Sequence, residues 1–186
     1  MSAGRVTPGR LIAVVGPSGV GKDSVMAGIK AAAPGVRLVR RTITRAPGLG
    51  GEDYEPVSPE AFERAAQAGA FCVHWEAHGL RYGIPADVPE DLARGTDCLA
   101  NFSRSALLKA RTAMPEMRVL NITATPETLS RRLAARGRES AEEIAARLRQ
   151  AEKPLPEGLD VITVSNDGAL EATVEKALRT LRREEA

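Results

Sequence analysis

The segment with the strongest structural signal in this chain of 186 residues is Gly16-Pro17-Ser18-Gly19-Val20-Gly21-Lys22-Asp23. It follows the short apolar run Leu11–Val15, which is typical of a buried strand, and it precedes an alanine-rich amphipathic segment that reaches about Ala33. A strand, a glycine-rich loop and a helix in this order are the context in which G-x-x-x-x-G-K indicates a P-loop. A chance glycine-rich turn is the alternative, but it would not explain why the spacing and both flanking elements agree.

Glycines let the backbone of such a loop curl, so that successive N–H groups and the N-terminus of the following helix face a phosphate. Lys22 would neutralise the β- and γ-phosphate oxygens of a bound nucleotide. We therefore predict that the nucleotide is bound by Gly16, Pro17, Ser18, Gly19, Val20, Gly21, Lys22, Asp23 and Ser24.

The composition limits the classes of partner. Apolar residues make up 43% of the chain and charged residues 27%, which is typical of a globular protein. The net charge of +2 is too small to indicate a nucleic-acid partner, and no apolar run approaches the length of a membrane span. We expect a soluble, cytoplasmic protein that binds neither nucleic acid nor a membrane, and both a monomer and a homodimer remain open.

The order of predicted elements indicates the fold. Strands and helices alternate along most of the chain, which predicts an α/β fold with a central parallel sheet flanked by helices. We assign residues 1–186 to a single domain whose core comprises residues 10–40 and 95–186. Residues from about 41 to 85 break the alternation, and we predict that they form a small substrate-binding lobe. In this region a strand is expected at residues 36–40 and a long loop at residues 42–57.

The small lobe carries side chains that suit a phosphorylated small molecule, because the guanidinium fork of arginine matches phosphate oxygens. The candidate substrate-binding residues are Arg41, Arg45, Tyr54, His78 and Tyr82. The alternative is a hydrophilic lobe in which Trp75 and Tyr82 only fill a small core.

A second arginine cluster lies in a segment of about residues 131–150. Its candidate catalytic residues are Arg132, Arg136 and Arg138, next to Gly137 as a hinge. In a phosphotransferase such a segment is a lid that folds over the site and spreads positive charge over the transferring phosphoryl group. The alternative is a solvated basic face that pairs with neighbouring glutamates.

Asn166 and Asp167 close the last predicted strand. On its own, Asn-Asp-Gly indicates only a turn. After the last strand of a parallel sheet, however, it lies at the carboxyl edge, where ligands bind. These two residues are therefore candidates for contact with the base of the nucleotide.

Together these motifs resemble the guanylate-kinase-like branch of the nucleoside monophosphate kinases, from about Arg10 to Leu181. The matching segments are GPSGVGKD, TR-P, GGEDY, WEAHGLRYGIP, RLAARGRE and SNDG. Within that branch the chain is similar to the ribose 1,5-bisphosphate phosphokinases, the phosphonate-utilisation kinases that make phosphoribosyl diphosphate from ATP. Two features carry this closer resemblance: a P-loop that ends in Lys-Asp-Ser, and the segment Trp75–Gly83.

The resemblance implies which substrate contacts are kept. Guanylate kinases read guanine with a serine at the position of Arg41 and a glutamate at that of Val73, and this chain lacks both readers. Losing such polar pairs costs large factors in discrimination. The phosphate contacts implied at Arg45, Tyr54 and Tyr82 are retained, and an extra cation at position 41 would suit a sugar that carries two phosphates.

The resemblance also bears on Mg²⁺. The acidic pair that guanylate kinases carry after a core strand is replaced here by Asn101 and Ser103, and Asp23 stands where a P-loop normally has a serine or threonine. We predict that Asp23 contacts Mg²⁺ directly or through water, because a carboxylate beside a triphosphate is tolerable only with a cation between them. The alternative is an acidic residue favoured by the helix dipole.

These expectations describe a kinase that uses ATP and Mg²⁺ and whose partner is a small phosphorylated sugar. The expected reaction converts ribose 1,5-bisphosphate into 5-phospho-D-ribose 1-diphosphate, with charge stabilised by Lys22, Arg132, Arg136 and Arg138. The alternatives are a guanylate or other nucleoside monophosphate kinase, a non-catalytic guanylate-kinase-like binding module, and a kinase for a sugar hydroxyl. Phosphonate breakdown and a general supply of phosphoribosyl diphosphate would use the same catalyst.

Overall fold

The computed structural model describes residues 7–49, 51–137 and 139–181. In chain order the strands are β1 (Leu11–Val15), β2 (Arg37–Leu38), β3 (Arg41–Ile43), β4 (Tyr54–Pro56), β5 (Phe71–Ala77), β6 (Leu80–Pro85), β7 (Cys98–Asn101), β8 (Arg118–Thr123) and β9 (Val161–Ser165). The helices are α1 (Lys22–Ala32), α2 (Pro59–Gln67), α3 (Val88–Ala93), α4 (Leu107–Ala113), α5 (Pro126–Ala135), α6 (Ala141–Ala151) and α7 (Leu170–Leu181). A short 3₁₀ turn, Arg104–Ala106, lies directly before α4.

The larger sheet has the strand order β2-β7-β1-β8-β9, and its pairings are parallel. Its central strand β1 is buried throughout because its side chains alternate between two hydrophobic clusters. One cluster includes residues of α4, and the other includes residues of α1, α5 and α7. Helices therefore cover both faces, which confirms the predicted α/β fold. Parallel strands end at a common edge, so the segments after β1, β7 and β9 meet there.

The smaller sheet is built from residues 41–85, in the order β4-β3-β6-β5. Strand β3 pairs with β4 in parallel and with β6 in antiparallel orientation, and β5 and β6 form a hairpin. The hairpin turns at His78 and Gly79, whose φ angles of 54° and 71° are those of a primed two-residue turn. Buried side chains such as Ile43 and Ile84 join the hydrophobic cluster that contains α4, so this lobe packs on one face of the core.

Two expectations for this lobe are wrong. Residues 42–57 are not a single long loop, because β3 and β4 pair with each other at its two ends. The strand expected at residues 36–40 is shorter, since only Arg37–Leu38 pairs with the larger sheet, and the chain crosses to the smaller sheet by Arg41. Strands of two or three residues are too short to show the alternation of polar and apolar side chains from which strands are recognised.

Three helices begin at side-chain caps of the kind that the local sequence specifies. The side chains of Ser58 and Thr125 accept hydrogen bonds from the backbone at the beginning of α2 and α5, and Ser140 forms a capping box with Glu143 at α6. Among the helices in the described parts of the chain, none is long and apolar enough to cross a membrane.

Candidate active site

The loop between β1 and α1 has the backbone of a phosphate cradle. Gly19 and Gly21 have φ angles of 85° and 90°, a left-handed conformation that strains other residues. Gly21 is the N-cap of α1 and places no side chain on the free N–H groups of the first turn. The helix N-terminus therefore offers unshielded donors and a positive partial charge to an anion.

Lys22 lies across this loop. Its ammonium group donates to the carbonyl oxygens of Gly16 at 2.8 Å and Pro17 at 3.3 Å. Burial lowers the pKa of Lys22 from 10.5 to about 8, and the nearby carboxylate of Asp23 only partly opposes this shift. A bound phosphate group would offer anionic oxygens in place of these neutral carbonyls. The Lys22 ammonium therefore lies close to the position where it would bind a nucleotide phosphate.

Asn166, Asp167 and Arg132 lie behind the loop. The amide of Asn166 donates to the Val20 carbonyl oxygen at 2.8 Å, and the guanidinium of Arg132 donates to the same oxygen at 3.3 Å. Asp167 accepts hydrogen bonds from Ser165 and from the backbone and hydroxyl of Thr125, and these bonds lower its pKa. The predicted contacts of these residues with base or phosphoryl group stay predictions.

Asp23 lies in the first turn of α1, with Ser24 beside it, and both residues reach solvent at one side. The lobe passes close to it, since a Cβ added to Gly51 would lie 3.3 Å from Asp23 Oδ2. Partial burial and then the carboxylate of Glu52 raise the pKa of Asp23. The amide of Asn101, at the end of β7, donates to Asp23 Oδ1 at 3.5 Å.

The donor set at Asp23 fits a cation only together with a nucleotide. No three His, Cys, Asp or Glu side chains within residues 7–49, 51–137 and 139–181 form a metal-binding group. A divalent cation at Asp23 would therefore need phosphate oxygens as further ligands, which is how Mg²⁺ commonly binds in kinases.

Arg41 is paired with Glu52, a residue that the sequence motifs do not single out as its partner. Its guanidinium makes a two-pronged ion pair with Glu52, with Nε 2.6 Å from Oε1 and Nη2 bonded to Oε2. The side chains of Arg41 and Glu52 are only 5% and 14% exposed. The guanidinium also lies over the rings of Tyr82 and Trp75, 4.9 Å and 5.8 Å from their centroids. Only the sequence Gly-Glu-Asp-Tyr hinted at Glu52.

The other candidate substrate-binding residues of the lobe differ in their exposure and in the contacts that already hold their side chains. Arg45 lies over the Tyr54 ring, with 5.4 Å between guanidinium and centroid, and it pairs with no acidic side chain in the described residues. Tyr54 is buried and donates its hydroxyl hydrogen to the Ala46 carbonyl. Tyr82 is buried in a stack with Trp75, whereas His78 is exposed at the tip of the β5–β6 hairpin.

The arginines of the predicted lid are only partly brought to the loop. Arg136 is exposed at the end of α5, and its charge partly opposes the rise in the pKa of Asp23. Gly137, with φ 63°, ends the helix, and Arg138 lies outside the described residues. The far end of α6 is tied to the core by Arg104, which donates to the carbonyls of Gln150, Ala151 and Lys153.

Comparison with known proteins agrees with this geometry. The family model for guanylate kinase matches residues 8–184. The chain is 51% identical over 179 residues to ribose 1,5-bisphosphate phosphokinase PhnN of Ruegeria sp. (strain TM1040), covering 96% of this chain and 94% of the relative. It is 46% identical over 178 residues to the protein of that name from Azotobacter vinelandii, covering 94% and 97%. The chain belongs to the guanylate kinase family, in its ribose 1,5-bisphosphate phosphokinase branch.

The fold of this family member also has a solved counterpart. The crystal structure of guanylate kinase from Anaplasma phagocytophilum matches with a TM-score of 0.71 and 20% identity, covering 94% of this chain and 85% of that one. Family membership, the fold and the kinase class, all predicted from the sequence, are therefore confirmed.

Proposed function

We propose that this kinase transfers the γ-phosphoryl group of ATP to the 1-phosphate of ribose 1,5-bisphosphate, giving 5-phospho-D-ribose 1-diphosphate and ADP. The observation that carries the proposal is an intact, uncapped P-loop with Lys22 in place, in a chain that aligns almost end to end with relatives named for this activity. A protein-binding module that binds no nucleotide would have no need of Lys22.

The acceptor needs no general base in this reaction. The second pKa of a phosphate monoester is near ~6, so the attacking oxygen of the 1-phosphate is already anionic at neutral pH. This oxygen forms a bond to the γ-phosphorus while the bond from the γ-phosphorus to the β–γ bridging oxygen breaks, and ADP leaves with that electron pair. The protein has only to hold the two anionic groups in line and to compensate their charge.

Charge compensation is assigned to groups that converge on the loop. The first-turn N–H groups of α1 and Lys22 would hold the phosphates of ATP, with Asp23 holding Mg²⁺ together with those phosphates. Mg²⁺ would supply further positive charge to the phosphoryl oxygens. Arg136 and Arg138 are proposed to approach from the lid. Arg45 is proposed to hold a phosphate of the sugar, because its guanidinium has no acidic partner in the described residues.

Phosphorylation of GMP is the rival that the lobe disfavours. Positions 41 and 73, where guanylate kinases place their guanine readers, hold an ion-paired arginine and a valine that are 4% and 2% exposed. Neither offers a free hydroxyl or carboxylate to a guanine edge.

A coupled assay of ADP release with Mg·ATP tests the proposal, run in parallel on ribose 1,5-bisphosphate, on GMP and without acceptor. We expect ADP formation only with the sugar bisphosphate, and 5-phospho-D-ribose 1-diphosphate as the product. Comparable turnover of GMP would mean that the loss of the guanine readers was misinterpreted. If neither acceptor is used although ATP binds, the acceptor is wrong, and if ATP does not bind, the binding-module alternative gains.

A further inference from the structure

We propose that Asn166 and Arg132 are positioning residues, which hold the Val20 carbonyl at the back of the P-loop and thereby aim the loop at the phosphates of ATP. This assignment rests on the proposed function only in taking ATP as the nucleotide. It replaces the roles that the sequence suggested for them, a contact with the nucleotide base for Asn166 and transition-state stabilisation for Arg132.

The peptide between Val20 and Gly21 links the back of the loop to its front. A trans peptide is planar, and its C=O and N–H point in opposite directions. Two donors hold the Val20 carbonyl oxygen, Asn166 Nδ2 at 2.8 Å and Arg132 Nη1 at 3.3 Å. Fixing that oxygen toward β9 and α5 turns the N–H of Gly21 the other way, into the cradle where a phosphate would lie.

Asn166 is oriented for this purpose by its own surroundings. It is 5% exposed, its backbone N–H donates to the Thr123 carbonyl at 2.7 Å, and Thr173 donates its hydroxyl hydrogen to Asn166 Oδ1 at 2.8 Å. Because a carbonyl oxygen only accepts, the amide nitrogen must be the atom that faces Val20. The fit is tight, since a Cβ added to Gly21 would lie 2.8 Å from Asn166 Nδ2.

Arg132 completes the arrangement from helix α5. Its Nη2 donates to the backbone carbonyl oxygen of Asn166 at 2.8 Å, so one guanidinium joins both carbonyls. No carboxylate pairs with Arg132 in the parts of the chain that the structure describes, and its charge therefore adds to the positive potential behind the loop. Asp167 fixes the beginning of α5 through Thr125, which keeps the helix that carries Arg132 against the end of β9.

Base contact, transition-state stabilisation and positioning of the loop predict different outcomes with two ligands, ATP and inorganic tripolyphosphate. A residue that contacts the base affects ATP and leaves tripolyphosphate unchanged. A residue that aims the loop weakens both ligands by the same factor. A residue that acts only in the transition state lowers kcat and leaves both affinities intact.

The experiment is calorimetric titration of the full chain with Mg·ATP and with Mg·tripolyphosphate, for wild type, Asn166→Ala, Arg132→Met and Arg131→Met. No acceptor is present, so a failure of the proposed sugar substrate cannot be confused with a failure of this inference. We expect Asn166→Ala and Arg132→Met each to weaken both ligands by about tenfold, the effect of losing one or two hydrogen bonds. Arg131→Met removes an exposed arginine directly before Arg132 to which no role at the phosphates is assigned, and it should change these affinities by much less.

Two further readouts separate positioning from general damage. At saturating ATP, kcat of Arg132→Met should stay within about threefold of wild type, and Arg132→Lys should recover part of the lost affinity because an ammonium can still reach one carbonyl. The double variant should lose less than the product of the single losses, since both residues hold one oxygen.

The inference is overturned if tripolyphosphate binds every variant as tightly as wild type, or if Arg132→Met loses kcat with its affinities intact. If Asn166→Ala does not fold, Arg132→Met decides alone, because it reaches the same carbonyl from a separate element.

Discussion

The larger and smaller sheets present their polar groups to the cleft in different ways. At the edge of the larger sheet the groups proposed to bind phosphate are mainly main-chain N–H groups of the loop between β1 and α1, together with the side chain of Lys22. In the smaller sheet they are side chains, and the most buried cation, Arg41, is already paired with Glu52 and stacked on aromatic rings. The N–H groups of the first region are available to a polyphosphate, whereas the buried cation of the second region stabilises the lobe itself.

The strongest test of this contrast is Lys22→Met. We expect kcat to fall by about a thousandfold, because a charge that compensates the transferring phosphoryl group is lost. Stability should change little, because the Lys22 ammonium bonds only to two loop carbonyls. Steady-state kinetics and thermal unfolding followed by circular dichroism measure the two effects.

Lys30→Met is the matched control, because Lys30 lies on the same helix and its ammonium also bonds to carbonyls, those of Pro34 at 2.6 Å and Val36 at 2.7 Å. It should lower the unfolding temperature slightly and leave turnover unchanged. A folded Lys22→Met protein with near wild-type kcat would show that Lys22 of the P-loop does not contribute to phosphoryl transfer.

The second prediction concerns the lobe and Arg41→Met. Removing one partner of a buried ion pair leaves the Glu52 carboxylate uncompensated, so we expect unfolding free energy to fall by about 3 kcal/mol. Trp75 is the only tryptophan of the chain and stacks beside Arg41, so its fluorescence follows the lobe while circular dichroism at 222 nm follows the helices of the whole protein.

The double variant Arg41→Met/Glu52→Gln should recover most of the lost stability, because it leaves no unpaired charge. The opposite pattern would be an unchanged unfolding free energy together with a KM for the sugar bisphosphate at least tenfold higher. Arg41 would then be a free substrate cation, as the sequence alone suggested, and the contrast between the two sheets would fail.

How far the sequence predicts this molecule depends on how local each feature is. The P-loop, the helix caps at Ser58, Thr125 and Ser140, and the alternation of strands and helices arise from neighbouring residues, so they could be predicted. The ion pair of Arg41 could not, because Glu52 lies across an irregular segment, and β3 and β4 are too short to show a period. The contact of Asn166 with Val20 joins residues that are 146 positions apart, and only a turn motif marked its site.

The smallest predicted effect is the uptake of a proton by Lys22 when ATP binds. It tests whether the charges of the lobe affect the pKa of Lys22 in the P-loop. The pKa of Lys22 is about 8 in the free protein, where burial, Arg41 and Arg104 disfavour the ammonium and Asp23 and Glu52 favour it. Bound phosphates restore the ammonium and raise this pKa. Affinity for ATP should therefore be nearly constant below pH 8 and fall by at most tenfold per pH unit above it.

Calorimetric titration at pH 9 in two buffers of different ionisation enthalpy counts the protons. We expect uptake of somewhat less than one proton by the wild type. Lys22→Met, which has no ammonium group at this position, should take up none. Arg41→Met should raise the pKa of Lys22 in the free protein if loss of the cation dominates, and so reduce the uptake at pH 9. An uptake that survives in Lys22→Met would place the titrating group elsewhere. An uptake unchanged in Arg41→Met would mean that Glu52 already cancels the charge of Arg41 at the P-loop, so that the two sheets act on the phosphates independently.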